Sequence, residues 1–156
     1  MNQTEGLKPI LGIDIGGTHI KASVADMNSG RLIGEHLFIP TPQPSIPDAM
    51  LGIIIHMISD LNWKGPIGSG FPGVIKSGIV LTAANLSKEW IGVNLENEIR
   101  KFTDGNVGVI NDADAAGLAE MKFGAGTEYN GPGGGVVVRV GPTSVGVGSA
   151  SRPNTA

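Results

Sequence analysis

The sequence contains no cysteine, which excludes a disulfide framework and any thiolate metal site. Its three histidines, His19, His36 and His56, are too scattered to form a ligand cluster, so no zinc is expected. Charge is sparse. Asp, Glu, Lys and Arg make up 16% of the residues, the formal net charge is -3, and no basic stripe is present. Neither nucleic acid nor an anionic membrane surface is therefore an expected partner. No run approaches the ~18 apolar residues of a membrane span. The opening "MNQTEGLKP" lacks the basic start and apolar stretch of a targeting segment, so a cytoplasmic protein is the expectation. What the chain does have is 156 residues at 40% hydrophobic content, enough for one globular fold with a sizeable core.

Residues 10–14, 19–25 and 32–39 are apolar or β-branched runs separated by "GGT" and "MNSG", which predicts an opening meander of three antiparallel strands. "TPQPSIP" breaks that pattern, and Ser45 with Asp48 forms a candidate capping pair. A helix over about 46–61 follows, with Met50, Ile54, Ile58 and Leu61 on one face and Leu51 and Ile55 beside them. "PIGSGF" returns to a strand, and Pro72-Gly73 and Ser77-Gly78 mark turns around short extended pieces. "NLENEIRKF" places Leu95, Ile99 and Phe102 at helical spacing. "NVGVI" is a short buried strand leading into the alanine-rich "NDADAAGLAEMKFG", with Gly124 set to end a helix. Strand, turn and helix thus recur twice, which predicts parallel strands added to the meander and a mixed α/β sheet with flanking helices.

Two glycine motifs invite a nucleotide reading. "GSGFPG", residues 68–73, matches G-x-G-x-x-G, but a proline and another extended run follow it rather than a helix, so it reads as a strand-end turn. A G-x-x-x-x-G-K-[ST] loop is absent. "DIGGTHIK" differs. A strand delivers Asp14, Gly16 and Gly17 let backbone N–H groups approach an anion, Thr18 adds a hydroxyl and Lys21 a positive charge. Asp14 is a candidate Mg²⁺ ligand, directly or through water, because magnesium takes hard oxygen donors and keeps several waters. On turn chemistry alone a plain glycine hairpin, capped by Asp14, fits as well.

The second constellation is "VINDADAAGLAE". It sets Asn111 and Asp112 where a buried strand gives way to a helix, the end of a strand that lines the crevice in open α/β sheets. Asp112 beside exposed helix N–H groups favours its ionised form, and an ionised carboxylate can orient and deprotonate a hydroxyl. By capping preference alone, simple helix capping by Asn and Asp is the favoured reading.

Taken in order, "GIDIGGTHIK", "TPQP", "GFPGVI", "TAANLSKEWIGVN" and "NDADAAGLAEMKFGAG" resemble the N-terminal half of a sugar kinase of the ROK family, over about residues 10–127. The resemblance implies an actin-like, ribonuclease H-like ATPase fold of two α/β lobes, with sugar and phosphoryl donor between them. It makes "DIGGT", with Asp14, Gly16, Gly17 and Thr18, the phosphate loop, with Lys21 a further match. It makes Asp112 the catalytic base acting on the glucose 6-hydroxyl, Asn85 and Asn111 sugar ligands, and Gly73 part of the turn shaping the sugar pocket. Trp63 and Trp90 read as packing anchors instead. The implied reaction is in-line phosphoryl transfer from ATP or polyphosphate, with Mg²⁺, to glucose, and the full-length family form is expected to be a homodimer.

The tail departs from the family pattern. "SVGVGSA", residues 144–150, resembles a second phosphate loop, but Ser144 and Val145 stand where glycine and threonine are expected, and Pro142 removes a backbone donor nearby. Residues 1–127 are accordingly expected to form one lobe, and 128–156 an atypical, truncated start of the second. The chain would then be an incomplete kinase; the alternative is a non-catalytic sugar-binding or assembly module. About nine residues precede the first strand, so a DNA-binding segment of a ROK regulator is not expected within this chain.

Overall fold

The computed structural model describes residues 6–113. Three strands, β1 (Pro9–Ile15), β2 (His19–Asp26) and β3 (Leu32–Pro40), form the expected antiparallel meander, and α1 (Pro47–Asp60) follows. β4 (Ile67–Phe71) leads to the small hairpin β5 (Ile75–Lys76) and β6 (Ile79–Val80), then to a 3-10 turn at Lys88–Trp90, α2 (Leu95–Arg100) and β7 (Val107–Asn111). The main sheet runs β3-β2-β1-β4-β7, with β4 parallel to β1 and β7 parallel to β4. This is the mixed sheet expected from the alternation of elements.

Strand register sorts the side chains into two faces. Leu11, Ile13 and Ile15 of β1 lie opposite Val24, Ala22 and Ile20 of β2, and all six join the main core with Met50, Ile54, Met57 and Ile58 of α1 and Leu95 and Ile99 of α2. The alternate residues place Asp14 opposite Lys21 on the other face, where Ile10 and Ala25 form a small cluster of their own. A two-residue periodicity thus puts apolar groups under the helices and leaves the Asp14–Lys21 pair outside that core.

The helix start differs from expectation. Ile46 occupies the N-cap with no side-chain cap, and Pro47 opens the helix; a proline there has no N–H to leave unsatisfied and already holds helical φ. Ser45 is instead buried, and its Oγ accepts the Ser87 N–H at 3.1 Å. Met57, rather than Ile55, completes the buried face of α1. Phe102 also departs: α2 ends at Arg100, and Phe102 is exposed. The β5–β6 turn has positive φ at Ser77 and Gly78, the conformation that two-residue hairpins favour. The alanine-rich helix with its stop at Gly124 and everything expected of 128–156, including the "SVGVGSA" loop, lie outside the described residues. No helix among the described residues is long and apolar enough to cross a membrane.

Candidate active site

Parallel strands β1, β4 and β7 end side by side, and the residues singled out in the sequence gather at those carboxyl ends. Asp14 lies across from Gly70, Gly70 from Ile110, and Phe71 from Asn111. The chain turns helical at Asp112 and Ala113. Asp14 is half-buried, and burial raises its proton affinity above the usual carboxylate value. Lys21, across the β1–β2 ladder, opposes that shift, and the Asp112 carboxylate adds to it. The two acids and the lysine therefore share one electrostatic neighbourhood.

Asp112 is exposed, and its Oδ1 accepts the Ala113 N–H at 2.8 Å. Its Oδ2 has no partner among the described residues. Asn111 does two structural jobs: its Oδ1 also accepts the Ala113 N–H at 2.9 Å, and its Nδ2 donates to the Gly73 carbonyl at 2.7 Å. The end of β7 is thereby tied to the turn after β4. That turn tolerates only glycine, since a β-carbon at Gly73 would lie 2.0 Å from the Thr82 carbonyl oxygen. The Val74 N–H donates to Thr82 Oγ1 at 2.9 Å, fixing the turn to the loop that carries Asn85. Asn85 itself is exposed, 3.9 Å by its Cβ from the position a β-carbon at Gly17 would take. Ala84 beside it holds a positive φ of 44°, a conformation that disfavours any residue with a side chain.

The β1–β2 connection is a tight antiparallel hairpin, but its backbone is not that of the favoured two-residue turns. Neither Gly17 nor Thr18 has the positive φ of the favoured two-residue turns. The Gly16 N–H donates to the His19 carbonyl at 3.0 Å, but the Gly16 carbonyl accepts from Thr41 Oγ1 at 2.6 Å rather than from His19, so the turn stays open. The N–H groups of Gly17 and Thr18 have no hydrogen-bond partner among the described residues. Such a pair of successive unpaired amides is what an anion-binding concavity requires.

Sequence reasoning missed three participants near this turn. Thr41 and Gln43 hold the turn from outside; "TPQP" reads locally only as the end of a strand. Phe38 is an exposed aromatic, stacked on His19 at 4.1 Å between ring centroids, with Lys21 Nζ 5.5 Å from its own centroid. Phe38 lies directly opposite Lys21 in the β2–β3 register, and the ring restricts where the lysine can reach.

The remaining motifs are structural. "GSGFPG" runs from β4 into the β5–β6 hairpin and not into a helix, so it lacks the context of a dinucleotide site. Trp90 is fully buried, tilted against Phe71, and its Nε1 donates to the Ser45 carbonyl at 3.1 Å. Trp63 donates to the Pro66 carbonyl at 3.0 Å. Both are packing anchors. Among the described residues no group of three His, Asp or Glu side chains could hold a metal by itself. The half-buried Asp14 carboxylate near Asp112 nevertheless suits a cation whose other ligands are water or phosphate oxygen, the ligand set magnesium prefers.

Residues 10–151 match the model of the ROK family. Over 140 residues the chain is 44% identical to the polyphosphate glucokinase of Mycobacterium tuberculosis (strain ATCC 25618 / H37Rv), covering 89% of this chain and 51% of that protein. It is 30% identical over 142 residues to the glucokinase of Streptomyces coelicolor, covering 82% and 43%. Among solved structures, the inorganic polyphosphate/ATP-glucomannokinase from Arthrobacter sp. strain KM is similar with a TM-score of 0.70 at 40% identity, over 79% of this chain and 51% of that one. The ROK family glucokinase from Streptomyces griseus, in complex with glucose and AMPPNP, gives a TM-score of 0.67 at 29% identity, over 78% and 38%. The sheet and its helices thus have the actin-like fold of ROK sugar kinases. The chain spans about half the length of the polyphosphate glucokinase it matches.

Proposed function

The chain belongs to the ROK family, and we propose that it supplies the sugar- and phosphate-positioning half of a glucokinase, which transfers a terminal phosphoryl group from polyphosphate or ATP to the 6-hydroxyl of glucose. The observation that carries this reading is the convergence of an open turn with two unpaired amides, a half-buried Asp14 paired across the ladder with Lys21, and an exposed Asp112 at the ends of three adjacent parallel strands. A plain hairpin and a plain helix cap account for each piece separately but not for their meeting in one place.

In this reading the Ala113 N–H fixes Asp112 through Oδ1, which leaves Oδ2 to accept the proton of the sugar hydroxyl and align it for attack. Asn85 and Asn111 offer amide groups to the other sugar hydroxyls, and Gly73 keeps the pocket wall free of a side chain. The Gly17 and Thr18 amides, the Thr18 hydroxyl and Lys21 take the donor phosphates. Asp14 would hold Mg²⁺, directly or through water; when bound, that ion neutralises charge on the transferring phosphoryl group. Positioning and electrostatics supply most of the catalysis in such transfers, so the rigidity of these strand ends matters more than any single strong base. The same reading carries a homodimer for the whole kinase.

The test is a pair of amide-resolved NMR titrations of the 156-residue chain, one with glucose and one with inorganic tripolyphosphate plus Mg²⁺. Glucose should shift the amides of Gly73, Asn85 and Asn111, and tripolyphosphate those of Gly17 and Thr18. Glucose shifts confined to other segments, or none, would refute the sugar assignment. Absence of a tripolyphosphate effect at the turn would refute the donor assignment.

A further inference from the structure

We propose that Thr41 and Gln43 are positioning residues that hold the Gly16–Thr18 turn open and aim its unpaired amides at the phosphoryl donor. This inference rests on the donor assignment above. Three successive carbonyls of the turn are all engaged by one segment: Thr41 Oγ1 donates to the Gly16 carbonyl at 2.6 Å, Gln43 Nε2 to the Gly17 carbonyl at 3.3 Å, and the Thr41 N–H to the Thr18 carbonyl at 2.8 Å. In a planar trans peptide the C=O and the following N–H point in opposite directions. Drawing the Gly16 and Gly17 carbonyls towards residues 41–43 therefore turns the N–H groups of Gly17 and Thr18 away from that segment, as a pair.

The Thr41 hydroxyl carries the larger share. It is buried with its residue, whereas Gln43 is exposed and its contact is longer. It also takes the carbonyl that would otherwise be available to the His19 N–H, the bond that closes a two-residue turn. Without the hydroxyl the Gly16 carbonyl is left half-buried and unpaired, and rotating that peptide to find a new donor carries the Gly17 N–H out of line. Thr41 continues directly from β3, whose register on β2 is fixed by seven residue pairs, so the clamp is rigidly mounted. Neither residue touches the donor in this scheme; both act through the backbone of the turn.

The experiment measures tripolyphosphate and glucose affinity of the full 156-residue chain by calorimetry, with amide NMR to locate binding and thermal melting to follow the fold. Thr41→Val removes the hydroxyl and keeps the shape and the backbone bond to Thr18. It should weaken tripolyphosphate binding roughly tenfold, about the effect of one lost hydrogen bond at the upper end of the usual range, and leave glucose affinity within about twofold. Thr41→Ser restores a hydroxyl and should return tripolyphosphate affinity to within about threefold of the parent. Gln43→Leu, at an exposed position that does not threaten folding, should weaken tripolyphosphate two- to threefold, as expected for a longer, solvent-accessible bond. Equal tripolyphosphate affinity in the parent and Thr41→Val overturns the clamp while sparing the donor assignment. So does a parallel loss of both ligands that tracks melting temperature and is not rescued by serine. If Thr41→Val does not fold, unchanged affinity in Gln43→Leu overturns it. A parent chain that shows no tripolyphosphate shift at Gly17 and Thr18 removes the donor assignment, and the clamp with it.

Discussion

Two neighbouring glycines in "DIGGT" should respond in opposite ways to the same methyl group, because the space around each differs. A β-carbon at Gly16 lies 2.8 Å from the carbonyl oxygen of His19, the same oxygen that accepts the Gly16 N–H at 3.0 Å. The backbone must move to admit it. That costs ~1 kcal/mol for the weakened hydrogen bond and a further ~1 kcal/mol of angle strain. About 2 kcal/mol corresponds to a loss of roughly 4–8 °C in melting temperature for a chain of this size. A β-carbon at Gly17 meets nothing nearer than Asn85 Cβ at 3.9 Å, and Gly17 has no positive φ. Gly17→Ala should therefore keep its melting temperature or gain, by ~0.4–1 kcal/mol, from the stiffer unfolded chain. The new methyl group nonetheless stands beside the amides proposed to receive phosphate, so tripolyphosphate affinity should fall roughly tenfold, or about 1.4 kcal/mol. Circular dichroism melts of both variants, with calorimetric titration of tripolyphosphate into Gly17→Ala, decide the matter. If Gly17→Ala melts as low as Gly16→Ala and binds tripolyphosphate as the parent does, the turn is only a hairpin and the reasoning fails.

Asp14→Asn should raise the melting temperature at neutral pH while abolishing the Mg²⁺-dependent part of tripolyphosphate binding. Burial, the largest cause, raises the Asp14 pKa from 3.8, so its favourable contribution is present below that value and lost as pH rises through the folded-state pKa. The advantage of the Asn variant over the parent should accordingly shrink to nothing in melts taken as the pH drops below 3.8. Asp26 has the opposite sign. Its carboxylate accepts the Lys8 N–H, the Ser29 hydroxyl and the Asn28 and Ser29 N–H groups, which lower its pKa from 3.8 to about 2. Its contribution is present above pH 3.8 and disappears as pH falls through about 2. Asp26→Asn should lower the melting temperature at pH 7 and flatten its pH dependence between those limits, and an Asn variant with the parent's acid profile would contradict that role.

The β1–β2–β3 meander, α1 and β7 were legible in the sequence because alternation and helical spacing are local signals, and here tertiary packing agrees with them. Asp14 facing Lys21 follows from a two-residue connection centred on Gly17 and Thr18. Most of the failures are non-local. Ser45 looked like a helix cap, but its hydroxyl serves Ser87, distant in sequence, and Pro47 makes the cap unnecessary. Phe102 continues the helical spacing of Leu95 and Ile99, yet α2 stops at Arg100 before the turn at Gly105, where the chain passes so close to Gly65 that a β-carbon would lie 2.2 Å from its carbonyl carbon. The site residues were legible as motifs and not as a site. No spacing rule says that Asn111 binds the carbonyl of Gly73, or that residues 41–43 hold the carbonyls of residues 16–18. Nor does the doublet "GG" reveal that only its first glycine is demanded by the backbone.

The central claim, that this half of a kinase aligns a sugar hydroxyl on Asp112 for phosphoryl transfer, is tested most directly by turnover in a whole kinase made by joining this chain to the remaining half of the Arthrobacter glucomannokinase. Glucose 6-phosphate formed from tripolyphosphate or ATP would be followed by phosphorus NMR. Asp112→Asn keeps the shape and the hydrogen bond to the Ala113 N–H but cannot take up a proton. The account predicts that it lowers turnover by roughly two to four orders of magnitude while glucose binding stays within about one order; an Asp112→Asn enzyme that phosphorylates glucose at the parent's rate would contradict it.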